Sequence, residues 1–459
     1  MPALLCVAAL AIAFSPLDPP GTDGAAPGAD AGPGDADAGP GDADASGDID
    51  ASDVDAGVDA NDVSGAVGAP AEAPPALTAE ELRALEESIA QDAPPAGMPD
   101  LSKVNVGAGL PSALQSMNPD IAFILDVAGA WFSVDDPAQT GGHDPQETGF
   151  ALQQLEMTIG ASVDPFLRFD GNLVFSLFGV ELEEAYATTL ALPANLQLRA
   201  GQFLTRFGRI NATHPHAWHF VDQPIVIGKM FGSEGSRGLG GELSWLAPLP
   251  WFLEGVLSVT NADGECCARS FFGADAIGIE TPLDLLVTGA VKQFWPLTDD
   301  LSLLVGVSTQ LGPNATGNLN RTEILGADLV LRYRPTQIAD AGRWSLSLES
   351  EAIVRGRQVP FGTLHDGGGY VQLVWGINPE WETAVRYELV SGVVDDPLDP
   401  EWTTWRQRGS AQLTYYPSHF SRVRVQGGVD HLAWQQGLPA FSVMTSLEIL
   451  VGAHGAHSY

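Results

Sequence analysis

Three of the chain's nine histidines fall within the stretch NATHPHAWHFVDQP, residues 211–224. Imidazole nitrogens and carboxylate oxygens suit zinc, and their spacing here brings them within reach of one ion. The candidate ligands are His214, His216, His219 and Asp222. Pro215 and Trp218 instead indicate a packed loop, whose histidines need only hydrogen bonds. The stretch therefore predicts either a zinc site or a histidine cluster that holds no cofactor.

The overall charge limits the partners of such a site. The chain has 21 Lys and Arg against 58 Asp and Glu, a net charge of −37. Nucleic-acid binding needs cations that displace the counterions of phosphate, so no nucleic-acid partner is expected. Three cysteines exclude a disulfide-built scaffold. The adjacent Cys266 and Cys267 either form a ring with each other, bridge to another chain, or are two plain loop thiols.

The first 117 residues contain no element that could position this chemistry. Residues 1–16 include the apolar run ALLCVAALAIAF, which predicts a signal peptide and is too short to span a membrane as a helix. Residues 17–76 are almost entirely Ala, Gly, Asp and Pro and predict a disordered acidic linker. Residues 77–117 predict one short periplasmic helix and a connector, because Thr78 and Glu81 form a capping box.

From residue 118 to residue 459 the sequence alternates apolar and polar side chains with period two, which is typical of β-strands. In QQLEMTIGASV, for example, every second residue is apolar and the residues between are mostly polar or small. We expect about sixteen strands, starting near residues 119, 149, 165, 183, 195, 237, 251, 283, 300, 321, 343, 368, 380, 402, 419 and 440.

The connections between these strands alternate between tight turns and longer Gly-rich loops, the latter near residues 135–148, 207–236, 263–275, 312–320, 358–367, 392–401 and 433–439. Sixteen apolar faces would need a second protein layer to cover them, and the sequence offers no helices for that layer. Lipid can cover them, and closure removes the unpaired strand edges. The pattern therefore predicts an all-β protein, a transmembrane antiparallel β-barrel of about 16 strands in the outer membrane, with a wide, wet lumen.

The segment LRAGQFLTRFGRINATHPHAWHFVDQPIVIGKMFGSEGSRGLGGELSW resembles a strand and third extracellular loop of outer-membrane porins, in the broad group that includes the phosphate-selective porins. Similar chains are sometimes labelled zinc-regulated TonB-dependent outer membrane receptors. The porin resemblance implies passive diffusion of small polar or anionic solutes. It also implies an inward-folded constriction loop over residues 207–234. A homotrimer is usual for porins of sixteen strands.

The polar strand faces and the flanks of this loop supply the candidate pore-lining residues. The basic candidates are Arg168, Arg199, Arg206, Arg209, Lys229, Arg237, Arg332, Arg386, Arg406, Arg408, Arg422 and Arg424. The acidic candidates are Glu156, Asp170, Glu349 and Glu351, with Asp328 and Glu388 on the same faces. Rings of charge set the selectivity of such pores, and the rows of arginine predict a preference for anions. The same residues could equally form pairs that only brace the wall.

Three alternatives remain open. A TonB-dependent receptor or metal-uptake barrel would need a folded plug inside a 22-stranded barrel, which the N-terminal residues do not resemble. A barrel hydrolase is conceivable because Ser233 and Glu234 lie near the histidines, but no G-x-S-x-G motif supports it and we expect no enzyme activity. A structural or adhesive barrel closed by its loops is the third.

Overall fold

A computed structural model describes residues 119–452, apart from residues 136, 138, 178, 265, 276, 337–343 and 434–437. The predicted signal peptide, linker and short helix therefore lie outside the described residues.

The described residues form sixteen β-strands in one closed antiparallel barrel. Each strand pairs with its neighbours in the chain, and β1 pairs with β16 to close the sheet. This confirms the predicted fold class. The strands are β1 Asp120–Phe132, β2 Gly149–Ser162, β3 Leu167–Ser176, β4 Gly179–Thr189, β5 Leu196–Leu204, β6 Arg237–Leu246, β7 Phe252–Thr260, β8 Leu286–Pro296, β9 Leu301–Pro313, β10 Arg321–Tyr333, β11 Ser345–Val359, β12 Gly362–Asn378, β13 Trp381–Val390, β14 Arg406–Ser418, β15 Ser421–Leu432 and β16 Ala440–Gly452.

The period of two in the sequence separates the two faces of the wall. On β15, Val425 is 47% exposed on the outside, whereas its neighbour Arg424 is 1% exposed on the inside. The same strict alternation runs along β14 and β16. An apolar outer face and a polar inner face reverse the arrangement of a water-soluble core, as a barrel surrounded by hydrocarbon requires.

The two rims of the barrel carry different connections. One rim has short connections, such as residues 163–166 and 419–420, and the other carries the long loops over residues 133–148, 205–236, 261–285 and 391–405. The predicted long loop over residues 358–367 is wrong. There β11 and β12 continue as paired strands to a tight turn at residues 360–361, where Val359 pairs with Gly362. Gly362 has a φ of 151°, which side-chain-bearing residues rarely adopt.

The loop between β5 and β6 contains α1, Ile225–Phe231, the one α-helix among the described residues. All seven of its residues are buried. The helix ends at Gly232, whose φ is 115°. No helix in the described part of the chain is long and apolar enough to cross a membrane.

An apolar core fills part of the barrel interior. It joins Ile225, Ile227, Met230 and Phe231 of α1 to Phe207 at the start of the same loop. It also includes the loop residues Phe271, Phe272 and Trp402 and the wall residues Ile324, Ile353, Tyr370 and Val390. The same cluster thus includes side chains of three loops and of the wall.

Adjacent cysteines in the β7–β8 loop are joined by a disulfide between Cys266 and Cys267. Their backbone carbonyls accept hydrogen bonds from Glu234 N at 2.9 Å and Arg237 N at 3.3 Å. This pair therefore contacts the end of the β5–β6 connection, which leads into β6.

Candidate functional site

The β5–β6 loop, residues 205–236, crosses the interior of the barrel. His214 Nε2 lies 2.9 Å from Glu184 Oε2 on β4. His219 Nδ1, only five residues later, lies 2.9 Å from Glu382 Oε1 on β13. Strands β4 and β13 are well separated in the barrel order, so the loop is attached to distant parts of the wall.

Wall side chains satisfy the irregular backbone of this loop. Gly208 N donates to Ser308 Oγ on β9 at 3.0 Å. Val221 N donates to Gln426 Oε1 on β15 at 2.8 Å. Ile225 N donates to Glu388 Oε2 on β13 at 2.7 Å. A buried loop without such partners would leave its backbone polar groups unpaired, so these inward-facing residues make the buried path possible.

Arginines near the seam of the barrel hold the carbonyl groups of the loop. Arg422 donates to the Trp218 carbonyl at 3.0 Å, and Arg424 donates to the Phe220 carbonyl at 3.0 Å. Arg424 also pairs with Asp126 on β1 at 2.9 Å, and both arginines pair with Glu448 on β16. Asp126 and Glu448 are direct cross-strand partners where β1 meets β16.

The histidines and Asp222, grouped by sequence, are distributed among different partners. The rings of His214 and His216 stack with centroids 5.6 Å apart, and both face Glu156. His219 lies between Glu382 and Glu349. Asp222 pairs with Arg386 and Arg408. In the described part of the chain, two groups of three His or acidic side chains hold ligand atoms within 4.8 Å of one another, and neither contains His216, His219 or Asp222.

The predicted basic residues lie in ion pairs with acids of the wall or loops. The pairs are Arg168–Asp170, Arg199–Glu242, Arg206–Glu242 and Glu254, Arg209–Glu349, Arg237–Glu181, Arg332–Glu349, Arg386–Asp222 and Glu388, Arg406–Asp430, and Arg408–Asp222 and Asp430. Glu351 contacts the Tyr370 hydroxyl at 3.3 Å. Much of this arginine row therefore holds the loop and the wall together.

Lys229 on α1 is fully buried and does not face the open space of the barrel. Its ammonium group lies 3.0 Å from Asp366 on β12 and 3.5 Å from Asp399 in the β13–β14 loop. It also lies 4.6 Å from the centre of the Trp402 ring. Neighbouring Arg355, absent from the sequence-based set, binds Asp366 as well.

A cavity of about 930 Å³ lies beside the loop, between it and the wall. Four of the predicted arginines line this cavity together with Lys292: Arg168, Arg199, Arg206 and Arg209. The acids that line it are Asp120, Glu156, Asp170, Glu184 and Glu254. Among the ion-paired residues that line the cavity, Arg168 is the most exposed, with 44% of its side chain accessible to solvent. The open part of the interior therefore has a mixed-charge lining.

Burial and charged neighbours shift the pKa values of several loop groups, among them His219 and Asp144. Burial lowers the pKa of His219, but the carboxylates of Glu382 and Glu349 outweigh it and raise that pKa to about 9. Burial and the nearby Asp222 carboxylate raise the pKa of Asp144, in the β1–β2 loop, to about 7. His219 is therefore a cation at neutral pH, bound between two acids.

Two β-bulges explain why some residues face the barrel interior although strict alternation along the strand would place them on the outer face. The pairing of β1 with β2 skips Gln153, and the pairing of β3 with β4 skips Glu183. A bulge adds one residue to a strand and re-aims its side chains. Consequently Gln153 and Gln154 are both buried, and so are Glu183 and Glu184. The adjacent Glu183 and Glu184 in ELEEAY could have indicated this bulge from the sequence. In a regular strand, one of these two glutamates would face the apolar outer side of the barrel.

Comparison with solved structures supports the architecture. The chain resembles the outer membrane channel DcaP of Acinetobacter baumannii with a TM-score of 0.51 at 12% identity, over 73% of this chain and 97% of that one. An anion-selective porin from Comamonas acidovorans has a TM-score of 0.46 at 11% identity, over 73% and 99% of the two chains.

No family model matches the chain. A sequence relative is an uncharacterised protein of Aquifex aeolicus (strain VF5), 29% identical over 399 residues, which are 76% of this chain and 81% of that protein. Membership in the phosphate-selective group stays a prediction. The chain is similar to DcaP in its closed barrel, and this similarity concerns the fold.

Proposed function

We propose that the protein is an outer-membrane channel for the passive diffusion of small polar or anionic solutes, with the β5–β6 loop as its constriction. The observation that carries the proposal is the path of this loop. It crosses the interior, is tied to distant strands by His214 and His219, and leaves the 930 Å³ cavity beside it. A barrel of about sixteen strands is too wide for side chains alone to fill.

The outer face supports placement in a bilayer. Exposed apolar side chains such as Val425, Leu413 and Leu447 alternate with buried polar ones. Water would penalise this surface, whereas hydrocarbon accepts it, and the closed sheet leaves no unpaired edge. We therefore expect the chain to fractionate with outer membranes. Recovery of the protein from the aqueous periplasm without detergent would contradict this placement.

The lining of the cavity supports weak rather than strong charge selection. Acids accompany the five basic side chains there, and opposed charges create a transverse field that small polar solutes can cross. The arginines of β13 to β15 contribute little free positive charge, because they are paired with Asp222, Asp430 and Glu448. The four cavity arginines, Arg168, Arg199, Arg206 and Arg209, are paired with acids as well, so the anion preference predicted from the arginine rows is a proposal that the reversal potential tests.

Planar-bilayer recording of the folded protein tests the channel. We expect discrete conductance steps, and in a salt gradient a small reversal potential of the sign that indicates anion preference. A folded barrel that never conducts would support the closed structural barrel instead. A reversal potential of the opposite sign would reject the anion preference while leaving the channel intact. Chemical cross-linking of the same sample tests the expected homotrimer.

A further inference from the structure

We propose that the interior of the barrel contains a binding site for zinc or a chemically similar divalent metal ion, formed by residues of two loops and the wall. The first ion position is formed by His143, Glu183 and Glu234, and the second by His214, Glu183 and Glu156. Glu183 lies between the two positions and bridges them. This set shares only His214 with the zinc ligands expected from the sequence.

The first position is shaped by the environment of His143. Its Nδ1 lies 3.1 Å from the Gln153 carbonyl, which can only accept, so Nδ1 carries the proton in this contact. Its Nε2 lies 3.3 Å from Glu183 Oε1 and 3.0 Å from Glu234 Oε2. In a tetrahedral zinc site with bonds near 2.0–2.2 Å, ligand atoms are separated by about 3.3 Å. The imidazole nitrogen therefore lies at ligand-to-ligand spacing from both carboxylate oxygens, and all three atoms lie within 4.8 Å of one another.

The second position repeats this arrangement around His214. Its Nε2 lies 2.9 Å from Glu184 Oε2. The Asn172 amide nitrogen lies 2.8 Å from the same ring nitrogen and donates a hydrogen bond to Glu184 Oε2 at 3.2 Å. His214 Nδ1 lies 3.2 Å from Glu183 Oε2 and 3.7 Å from Glu156 Oε1. Metal-bound histidines typically direct their second nitrogen to a carboxylate or a backbone carbonyl. Glu184 supplies the carboxylate here, as Gln153 supplies the carbonyl at the first position.

Two buried carboxylate oxygens at the second position are placed to bind a cation. Glu156 Oε1 and Glu183 Oε2 are buried and accept no hydrogen bond with acceptable geometry. Glu156 is fully buried, and 7% of the Glu183 side chain is exposed. Carboxylate oxygens without donors are costly inside a protein, and a cation satisfies them. A cavity of about 30 Å³ lies at the first position, lined by His143, Glu183 and Glu234, and His214 of the second position also lines it.

The two β-bulges at Gln153 and Glu183 flank this site. The Gln153 carbonyl receives His143 Nδ1, and the Gln153 side chain donates to the His143 carbonyl at 2.9 Å. The bulge at Glu183 turns this residue and Glu184 inward together. Bulges are frequent beside functional sites because they re-aim side chains. Both local irregularities of β2 and β4 thus orient the proposed ligands or their supports.

The ligand types select the metal. Each position combines one imidazole nitrogen with carboxylate oxygens. Calcium and magnesium prefer oxygen ligands alone, whereas imidazole favours zinc and its neighbours in the transition series. The first ion would join the β1–β2 loop through His143 to the end of the β5–β6 loop through Glu234, and the second would join the start of that loop through His214 to the wall through Glu156. Glu183 of the wall would contact both ions. Metal binding would thereby fasten the loop within the barrel.

Metal content of the untagged, full-length protein tests the site. A chelator first removes bound metal from the folded protein. The protein is then incubated with zinc as the only transition-series ion, in excess magnesium, and unbound ions are removed. Inductively coupled plasma mass spectrometry then measures the zinc content per chain. We expect His143→Gln to lose the first ion and Glu183→Gln to lose both, relative to the unaltered chain. Cobalt in place of zinc should give tetrahedral visible absorption that the Glu183→Gln variant lacks.

The matched control is His219→Gln, because His219 belongs to the same loop but binds Glu382 and Glu349. It should retain the full zinc content. Heat-shifted electrophoretic mobility establishes that each barrel is folded, and His143→Gln tests the site if Glu183→Gln does not fold. Equal zinc content in the unaltered, His143→Gln and Glu183→Gln chains would overturn the proposal, as would failure of the unaltered chain to bind zinc. Neither result depends on conductance.

Discussion

Asp222 of the β5–β6 loop and Arg386 of β13 form a buried ion pair, with Oδ1 and Nη2 2.5 Å apart. The second carboxylate oxygen of Asp222 lies 2.9 Å from Arg408 on the next strand. The guanidinium of Arg386 also covers the Phe220 ring at 4.3 Å from its centre. The middle of the loop is therefore fastened to two adjacent strands by one aspartate.

Replacing Asp222 with alanine should loosen this attachment. Two buried guanidinium groups would lose their common partner, and breaking a buried pair typically costs about 3–5 kcal/mol. We expect a lower urea midpoint for unfolding and a larger, noisier single-channel conductance. Asp299→Ala, at an exposed residue of the β8–β9 turn, is the matched control. If Asp222→Ala left both the midpoint and the conductance unchanged, Asp222 would not anchor the loop.

The attachment of His219 should depend on pH. Its pKa is raised from an unfolded value near 6.5 to about 9, although burial acts in the opposite direction, because Glu382 and Glu349 face it. The stabilisation is therefore fully present below about pH 6.5 and is lost as pH rises through about 9. Thermal unfolding from pH 6 to 10 should show this loss in the unaltered protein. The His219→Gln variant should lack that component, and parallel curves for the two proteins would contradict the assignment.

The outer face should reject charge at mid-wall positions. Val425 is 47% exposed on β15, between the inward-facing Arg424 and Gln426. Arginine at a lipid-facing position near the bilayer midplane destabilises a barrel by about 2–4 kcal/mol. We expect Val425→Arg to reduce the folded fraction in lipid vesicles, whereas Val425→Leu should fold normally. Equal folding yields would place Val425 away from the hydrocarbon.

Charge selection should respond in opposite directions to two neighbours in the cavity. Arg168 and Asp170 pair at 2.8 Å and both line the open space. Arg168→Gln removes a cation and should shift the reversal potential toward cations, whereas Asp170→Asn should shift it toward anions. Shifts of the same sign, or none, would mean that solutes do not pass this pair.

The barrel could be predicted from the sequence because the period-two pattern is continuous. The pattern also fixes the strand register, since a shift by one residue would turn every side chain to the opposite face. Strands β2, β6, β10 and β16 begin at the expected residues 149, 237, 321 and 440. The turn at 360–361 was missed because β11 and β12 extend beyond the neighbouring strands. In this extension Arg355 and Asp366 form an ion pair inside the barrel. In the sequence, such polar residues resemble those of a loop.

The interior was less predictable than the wall. The alternation of apolar and polar residues placed arginines such as Arg386 and Arg424 correctly on the inner face. It carries no information about which acids form ion pairs with them. Those contacts depend on the path of the β5–β6 loop, whose backbone is irregular. The histidines were grouped by their proximity in sequence, yet of that group only His214 lies beside Glu183, together with His143 from another loop. Bulges at Gln153 and Glu183 break the parity rule at that place.

The seam between the first and last strands has a consequence for biogenesis. Asp126 and Glu448 lie opposite each other there, and like charges in that position repel. Arg424 compensates both acids while also holding the Phe220 carbonyl. Because Arg424 lies on β15, we expect the nascent sheet to close only once β15 has paired with β16, so that insertion machinery releasing the chain earlier would leave an open intermediate.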